Sequence, residues 1–177
     1  MNTKNLVLMA LLVGVGAALY MVVPGLVGGM KPDFMLTMMF VGILLFPYAK
    51  ETFLLALATG VLSGLFTTFP GGFLPNIIDK AITGFVFLGV ILLAKKVMHH
   101  MVASVIVVML GTILSGVIFL GTALFVFGAN VPVGFSALFI GVVLPATLFN
   151  AVAFAVIYPI ITNLVKRSSF KTATAHA

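Results

Sequence analysis

The chain has no cysteine, no tryptophan and only three acidic residues among 177 positions. Without cysteine there are no disulfides and no thiolate metal sites, and nothing marks the redox compartment. Charged residues of both signs make up 7%, against about 25% in a soluble domain, where they coat the surface that water sees. Hydrophobic residues reach 63%, above the usual level of about 45–50%. A water-soluble fold has nowhere to put that excess. Nucleic-acid binding is excluded on the same ground, because the net charge of +6 has no soluble basic face to occupy. No Walker A pattern occurs, so the chain does not itself hold ATP in that way.

What is present is a series of long apolar runs separated by small charged clusters. The clusters lie at Lys4, Lys31/Asp33, Lys50/Glu51, Asp79/Lys80, Lys95/Lys96 and Lys166/Arg167/Lys171. A helix crossing the hydrocarbon core takes about 20 largely apolar residues. The runs lack the polar/apolar alternation of barrel strands, and helices are the other way to satisfy the backbone in lipid. The predicted architecture is therefore all-α: a single membrane domain over 1-177, with six transmembrane helices near 6-23, 33-46, 52-69, 76-94, 101-127 and 134-165.

Alternate loops differ in basic charge. With the N-terminus inside, the cytoplasmic segments carry Lys4, Lys50, Lys95, Lys96, Lys166, Arg167 and Lys171, and the outer loops only Lys31 and Lys80. Lys and Arg accumulate on the cytoplasmic side, so both termini are expected there, in a multi-pass protein of the cell membrane. The first segment imitates a signal peptide but leads into Pro24-Gly-Leu-Val-Gly-Gly without a small-x-small cleavage site, and reads as a retained helix. The last stretch carries Pro145 and Pro159 and reads either as one kinked helix or as a re-entrant piece followed by a helix. Internal repetition is weak. Val61-Leu-Ser-Gly64 resembles Ile113-Leu-Ser-Gly116, and close helix packing explains such small residues.

The outer loops hold the candidate chemistry: Gly28-Gly-Met-Lys-Pro-Asp33, Pro70-Gly-Gly-Phe-Leu-Pro-Asn-Ile-Ile-Asp-Lys80 and Gly128-Ala-Asn-Val-Pro132. Pro32, Pro75 and Pro132 stand near the starts of the following helices, where a missing N–H costs nothing. Three outward helix N-termini make a seat for a carboxylate, with Lys31 and Lys80 in support and Asp33 and Asp79 placed for an ammonium. Asn76, Asn130, Tyr20 and Phe73 complete the candidate substrate-binding set. Two readings stand side by side: a zwitterion site, or interfacial charges that cap helices and snorkel to headgroups. The aromatics near this face, Tyr20, Phe34, Phe66, Phe69, Phe73, Phe127 and Phe135, stack on a planar ligand or form a membrane-interface belt.

Other clusters point away from catalysis. His99 and His100 fall in a predicted cytoplasmic loop, across the membrane from both aspartates, so no shared metal or catalytic centre is expected. Ser63 and Ser115 are expected to bond to helix carbonyls, with no histidine or lysine partner inside the bilayer. The chain is expected not to be an enzyme and to need no cofactor. Helix 1 carries Ala10, Gly14 and Ala18 at four-residue spacing, a ridge suited to partner docking or to packing inside the same bundle.

The run Gly28-Gly-Met-Lys-Pro-Asp-Phe-Met-Leu-Thr-Met-Met-Phe-Val-Gly-Ile-Leu-Leu-Phe-Pro47, with Phe69-Pro-Gly-Gly and Pro75-Asn-Ile-Ile-Asp-Lys80, resembles the TrpP-type tryptophan transporter family over essentially the whole chain. That family is similar to the substrate-binding S-components of energy-coupling-factor importers. The resemblance implies six helices, a tryptophan site opening outward, and docking on a coupling subunit through small residues of helix 1. Predicted helices 3, 5 and 6 lack interior titratable groups, which favours a separate energy-coupling module with ATP-binding subunits over an ion-driven carrier. Alternatives are the same scaffold serving another small ligand such as a vitamin, or a structural or accessory membrane protein.

Overall fold

The computed structural model describes residues 3–22, 33–94 and 100–167, all helix and connecting loop. Lys31, Pro32, Lys95, Lys96, His99 and Lys171 lie outside the described residues. Six helices follow in order: α1 Thr3–Val22, α2 Phe34–Leu45, α3 Ala49–Phe66, α4 Phe73–Leu93, α5 Met101–Val126 and α6 Phe135–Lys166. All but α2 are long and apolar enough to cross a membrane.

The exception organises the bundle. α2 has 12 residues, about 18 Å at 1.5 Å per residue, short of the roughly 30 Å hydrocarbon core. It is apolar on every side, and every residue from Met35 to Phe46 is buried. A helix apolar all round belongs in an interior, and α2 is packed against each of the other five helices. Phe40 of α2 stacks on Phe87 of α4 with ring centroids 4.1 Å apart.

The outer helices divide into a packed face and an exposed apolar face. On α1, Leu8, Met9, Leu12, Val13, Gly16 and Tyr20 turn inward, and Leu6, Val7, Leu11 and Val15 outward. A Cβ on Gly16 would stand 2.9 Å from the Met35 Cα, so glycine lets α1 reach the α2 backbone. Ala10, Gly14 and Ala18 are exposed, with nothing within 4 Å of a Cβ built at Gly14. The ridge therefore does not serve internal packing, which falls to Gly16, two residues out of its register.

α3 starts at Ala49, ahead of the predicted 52, so Glu51 sits in the first turn, where a carboxylate favours the helix dipole. α6 settles the ambiguity of the last stretch: it is one helix of 32 residues with a wide π turn over Phe139–Val143. Pro145 lacks the N–H that the Gly141 carbonyl would accept, and the turn before it widens, with the Leu144 N–H reaching the Phe139 carbonyl. α5 ends in a similar turn over Thr122–Val126. There the Thr122 hydroxyl donates to the carbonyls of Ile118 and Phe119, competing with the regular ladder.

Candidate functional site

The loop between α3 and α4 is compact because its backbone and side chains satisfy one another. Gly71 takes φ +68°, a conformation that favours glycine. The Gly72 N–H donates to the Phe69 carbonyl at 3.0 Å, and the Phe69 N–H to Thr67 Oγ1 at 3.2 Å. α4 then begins at Phe73, three residues before the predicted 76, with Pro75 inside its first turn. Asn76 Nδ2 donates back to the Gly72 carbonyl at 2.7 Å. The early start corrects the reading of Asp79 and Lys80 as outer-loop charges: both stand in the second turn of α4, Asp79 0% and Lys80 2% exposed. Asp79 is six residues into the helix, about 9 Å along its axis.

Burying an ion costs several kcal/mol unless partners replace its water, and here the partners are complete. Lys80 Nζ lies 2.6 Å from Asp79 Oδ2 and 2.6 Å from Asp33 Oδ2. It also donates to Ser115 Oγ of α5 at 3.4 Å. An ammonium has three donors, and those oxygens use all three. Asp79 Oδ2 accepts from Ser115 Oγ at 2.7 Å, and Oδ1 from Thr83 Oγ1, one turn along α4, at 2.8 Å. Asp33 is the N-cap of α2: its Oδ1 accepts from the Leu36 N–H at 3.0 Å. One carboxylate thus caps α2 and clamps it to α4. The α2 N-terminus is accordingly not an open carboxylate seat.

Ser115 departs from expectation. It bonds to Asp79 and Lys80 rather than to a helix carbonyl, because the early start of α4 carries Lys80 inward to the α5 face. Ser63 donates to the Met35 sulfur at 3.7 Å. With Lys80 held by two carboxylates it has no free lone pair to act as a base toward Ser115.

The cluster lines a pocket enclosing about 600 Å³, its open mouth included. Tyr20 (α1), Asp33 and Leu36 (α2), Ser63 (α3), and Asn76, Asp79 and Lys80 (α4) form part of its wall. Thr112, Ser115, Gly116 and Phe119 of α5 and Val142, Val143, Ala146 and Asn150 of α6 form the rest, with Thr67 and Phe69 from the α3–α4 loop. Phe69 and Phe119 meet edge to face at 5.3 Å.

Of the predicted site residues, Tyr20, Asp33, Asn76, Asp79 and Lys80 therefore come together around one pocket. Phe73 and Asn130 do not. Phe73 is 41% exposed and packs against Gly64, and Phe69, four residues earlier, takes the pocket position instead. Asn130 is exposed in the loop before α6. Lys31 lies outside the described residues. Sequence reasoning missed Thr83, Thr112 and Asn150, isolated polar residues in apolar runs that carry no pairing signal of their own.

A pocket lined by ions of both signs together with apolar, aromatic and neutral polar side chains suits a small amphiphilic zwitterion. Comparison with known proteins bears on which one. The model of the tryptophan transporter TrpP family matches residues 2–166. This chain belongs to that family. A TrpP-family relative from Bacillus subtilis (strain 168), a probable tryptophan transport protein, is 49% identical over 173 residues, covering 98% of this chain and 99% of the relative. Proteins of the same description from Clostridium acetobutylicum and Clostridium perfringens are 44% and 38% identical, covering 89% and 95% of this chain and 91% and 96% of their own lengths. No solved structure matches the chain. Family membership and the apolar helices together make it a multi-pass protein of the cell membrane.

Proposed function

We propose that this chain takes up tryptophan, binding it in the pocket between α2, α4, α5 and α6 with the mouth toward the outside. The observation that carries the reading is the Lys80–Asp33 pair, 2.6 Å long, in the wall of a pocket that also carries Leu36, Phe69, Phe119, Val142, Val143 and Ala146. A zwitterion inserts there by exchange: its carboxylate takes the place of Asp33 at Lys80, and its ammonium takes the place of Lys80 at Asp33. Charge balance is unchanged, so neither buried ion is stranded. Asp79 stays on Lys80 throughout and holds the ammonium in place. The indole lies against Leu36, Val143 and Ala146, which line the same pocket, and gains from burial there.

Uptake against a gradient needs energy, and we assign that to a separate coupling module with ATP-binding subunits. The exposed ridge Ala10, Gly14 and Ala18 supports this part, since small residues let a partner helix approach closely. The distribution of Lys and Arg supports cytoplasmic N- and C-termini, and the exposed apolar faces suit contact with membrane lipid.

Binding of labelled tryptophan to the purified protein in detergent tests the reading, with indole, phenylalanine and thiamine as competitors. Saturable binding, displaced poorly by the last two and by indole only at high concentration, is the expected result. A folded protein that binds no tryptophan, or that prefers thiamine, refutes it.

A further inference from the structure

One polar group in the pocket wall is without a partner. Asn150 of α6 is 0% exposed, and its side-chain carbonyl Oδ1 is buried and accepts no hydrogen bond. Its neighbour fixes which end of the amide is left over. Thr112 gives its one hydroxyl proton to the Val108 carbonyl at 2.9 Å, so only its lone pairs remain for Asn150. Asn150 Nδ2 points to them at 3.5 Å, and Oδ1 is turned elsewhere. Buried acceptors without a donor are uncommon in folded proteins, and this one belongs to a residue that lines the pocket.

The surroundings define the donor that fits. Gly116 and Ala146, one turn from Thr112 and Asn150 on their own helices, are the apolar lining nearest them. The described cations and carboxylates of the pocket are gathered at Lys80, Asp79 and Asp33. A neutral N–H carried on an apolar body matches that setting; a second charge does not. Thr112, which positions Asn150, precedes Ser115 of the ion cluster by three residues. The two share a face of α5 about 4.5 Å apart along the axis. A ligand with its charged end at Lys80 and its body along α5 therefore runs toward Asn150.

We propose that Asn150 Oδ1 accepts a hydrogen bond from the ring N–H of the ligand and is the residue that separates indoles from other aromatic side chains. This deepens the tryptophan reading and rests on it. Shape alone separates rings weakly, whereas an acceptor left unpaired by the wrong ligand penalises that ligand directly.

The test compares tryptophan with benzothienylalanine, in which sulfur replaces the ring N–H at nearly constant shape, by equilibrium binding to the purified protein. Wild type is expected to prefer tryptophan by about tenfold to a hundredfold. Asn150→Leu, similar in volume and without an acceptor, is expected to lose that preference by weakening tryptophan while leaving benzothienylalanine nearly unchanged. Equal binding of the two ligands by wild type overturns the assignment and leaves tryptophan uptake standing; this arm holds even if Asn150→Leu fails to fold. A preference that survives in folded Asn150→Leu also overturns it. Failure of wild type to bind tryptophan at all overturns the assignment and the uptake reading together.

Discussion

Lys80 has three ammonium protons and three oxygens to receive them, on Asp33, Asp79 and Ser115. The two carboxylates answer to different constraints, so their substitutions are expected to part company. Asp33 is partly exposed, and its cap on Leu36 is one that asparagine also makes. Asp33→Asn is therefore expected to fold normally and to lose tryptophan affinity by tenfold or more, because the exchange partner for the ligand ammonium is gone. Intact melting behaviour with unchanged affinity would rule out that role. Asp79 is wholly buried, and Asp79→Ala leaves the Lys80 ammonium with Asp33 as its one carboxylate and the Ser115 hydroxyl without its acceptor, at a cost of about 1–3 kcal/mol. The double substitution Asp79→Ala with Lys80→Met removes the under-coordinated ammonium as well. It is expected to recover most of the lost thermal stability in detergent while binding no tryptophan. A double variant no more stable than Asp79→Ala would show that the ions are not what the substitution disturbs.

Close approach between helices is set at a few glycines. A Cβ on Gly60 of α3 would lie 3.0 Å from the Ile77 Cα and 3.3 Å from the Asn76 carbonyl oxygen, both backbone atoms that cannot turn aside. Gly60→Ala is expected to push α3 from α4 at the turn that carries Asn76, Asp79 and Lys80, destabilising by about 1–3 kcal/mol and weakening ligand binding with it. Gly89→Ala, further along α4 with nothing within 4 Å, is the matched control and is expected to be neutral or slightly stabilising. Thermal melting of both variants in the same detergent decides it, and equal melting temperatures would show the contact to be soft. Sequence reasoning found the number and type of these elements from apolar run length. It could not place their ends, because Pro75 is tolerated throughout a first turn, not only at its first position. Nor could it show that α2 is encased: α2 and its neighbours are all apolar runs, and only packing shows that α2 has helices on every side.

For the molecule as a whole, the charges that mark the site were legible because so few charges exist. Asp33, Asp79 and Lys80 stood out against an apolar background. Their convergence was not legible, nor was the part played by Ser115, Thr83 and Asn150, since helix register and crossing decide which isolated polar residue meets which. The proposed orientation in the membrane rests on Lys and Arg counts alone, and the absence of cysteine makes it directly testable. Any cysteine introduced is the sole thiol in the chain. Asn130 is exposed in the loop before α6, at the end of the bundle where α4 begins and the pocket carries its ions. Asn130→Cys in intact cells is expected to react with a membrane-impermeant maleimide. Thr172→Cys, in the basic tail that follows α6, is expected to react only after the membrane is permeabilised. The opposite pattern would turn the pocket toward the cytoplasm and remove the basis for uptake from outside. Labelling of both sites in intact cells would mean that α6 does not carry the chain across the membrane, and would contradict an even number of crossings from a cytoplasmic N-terminus.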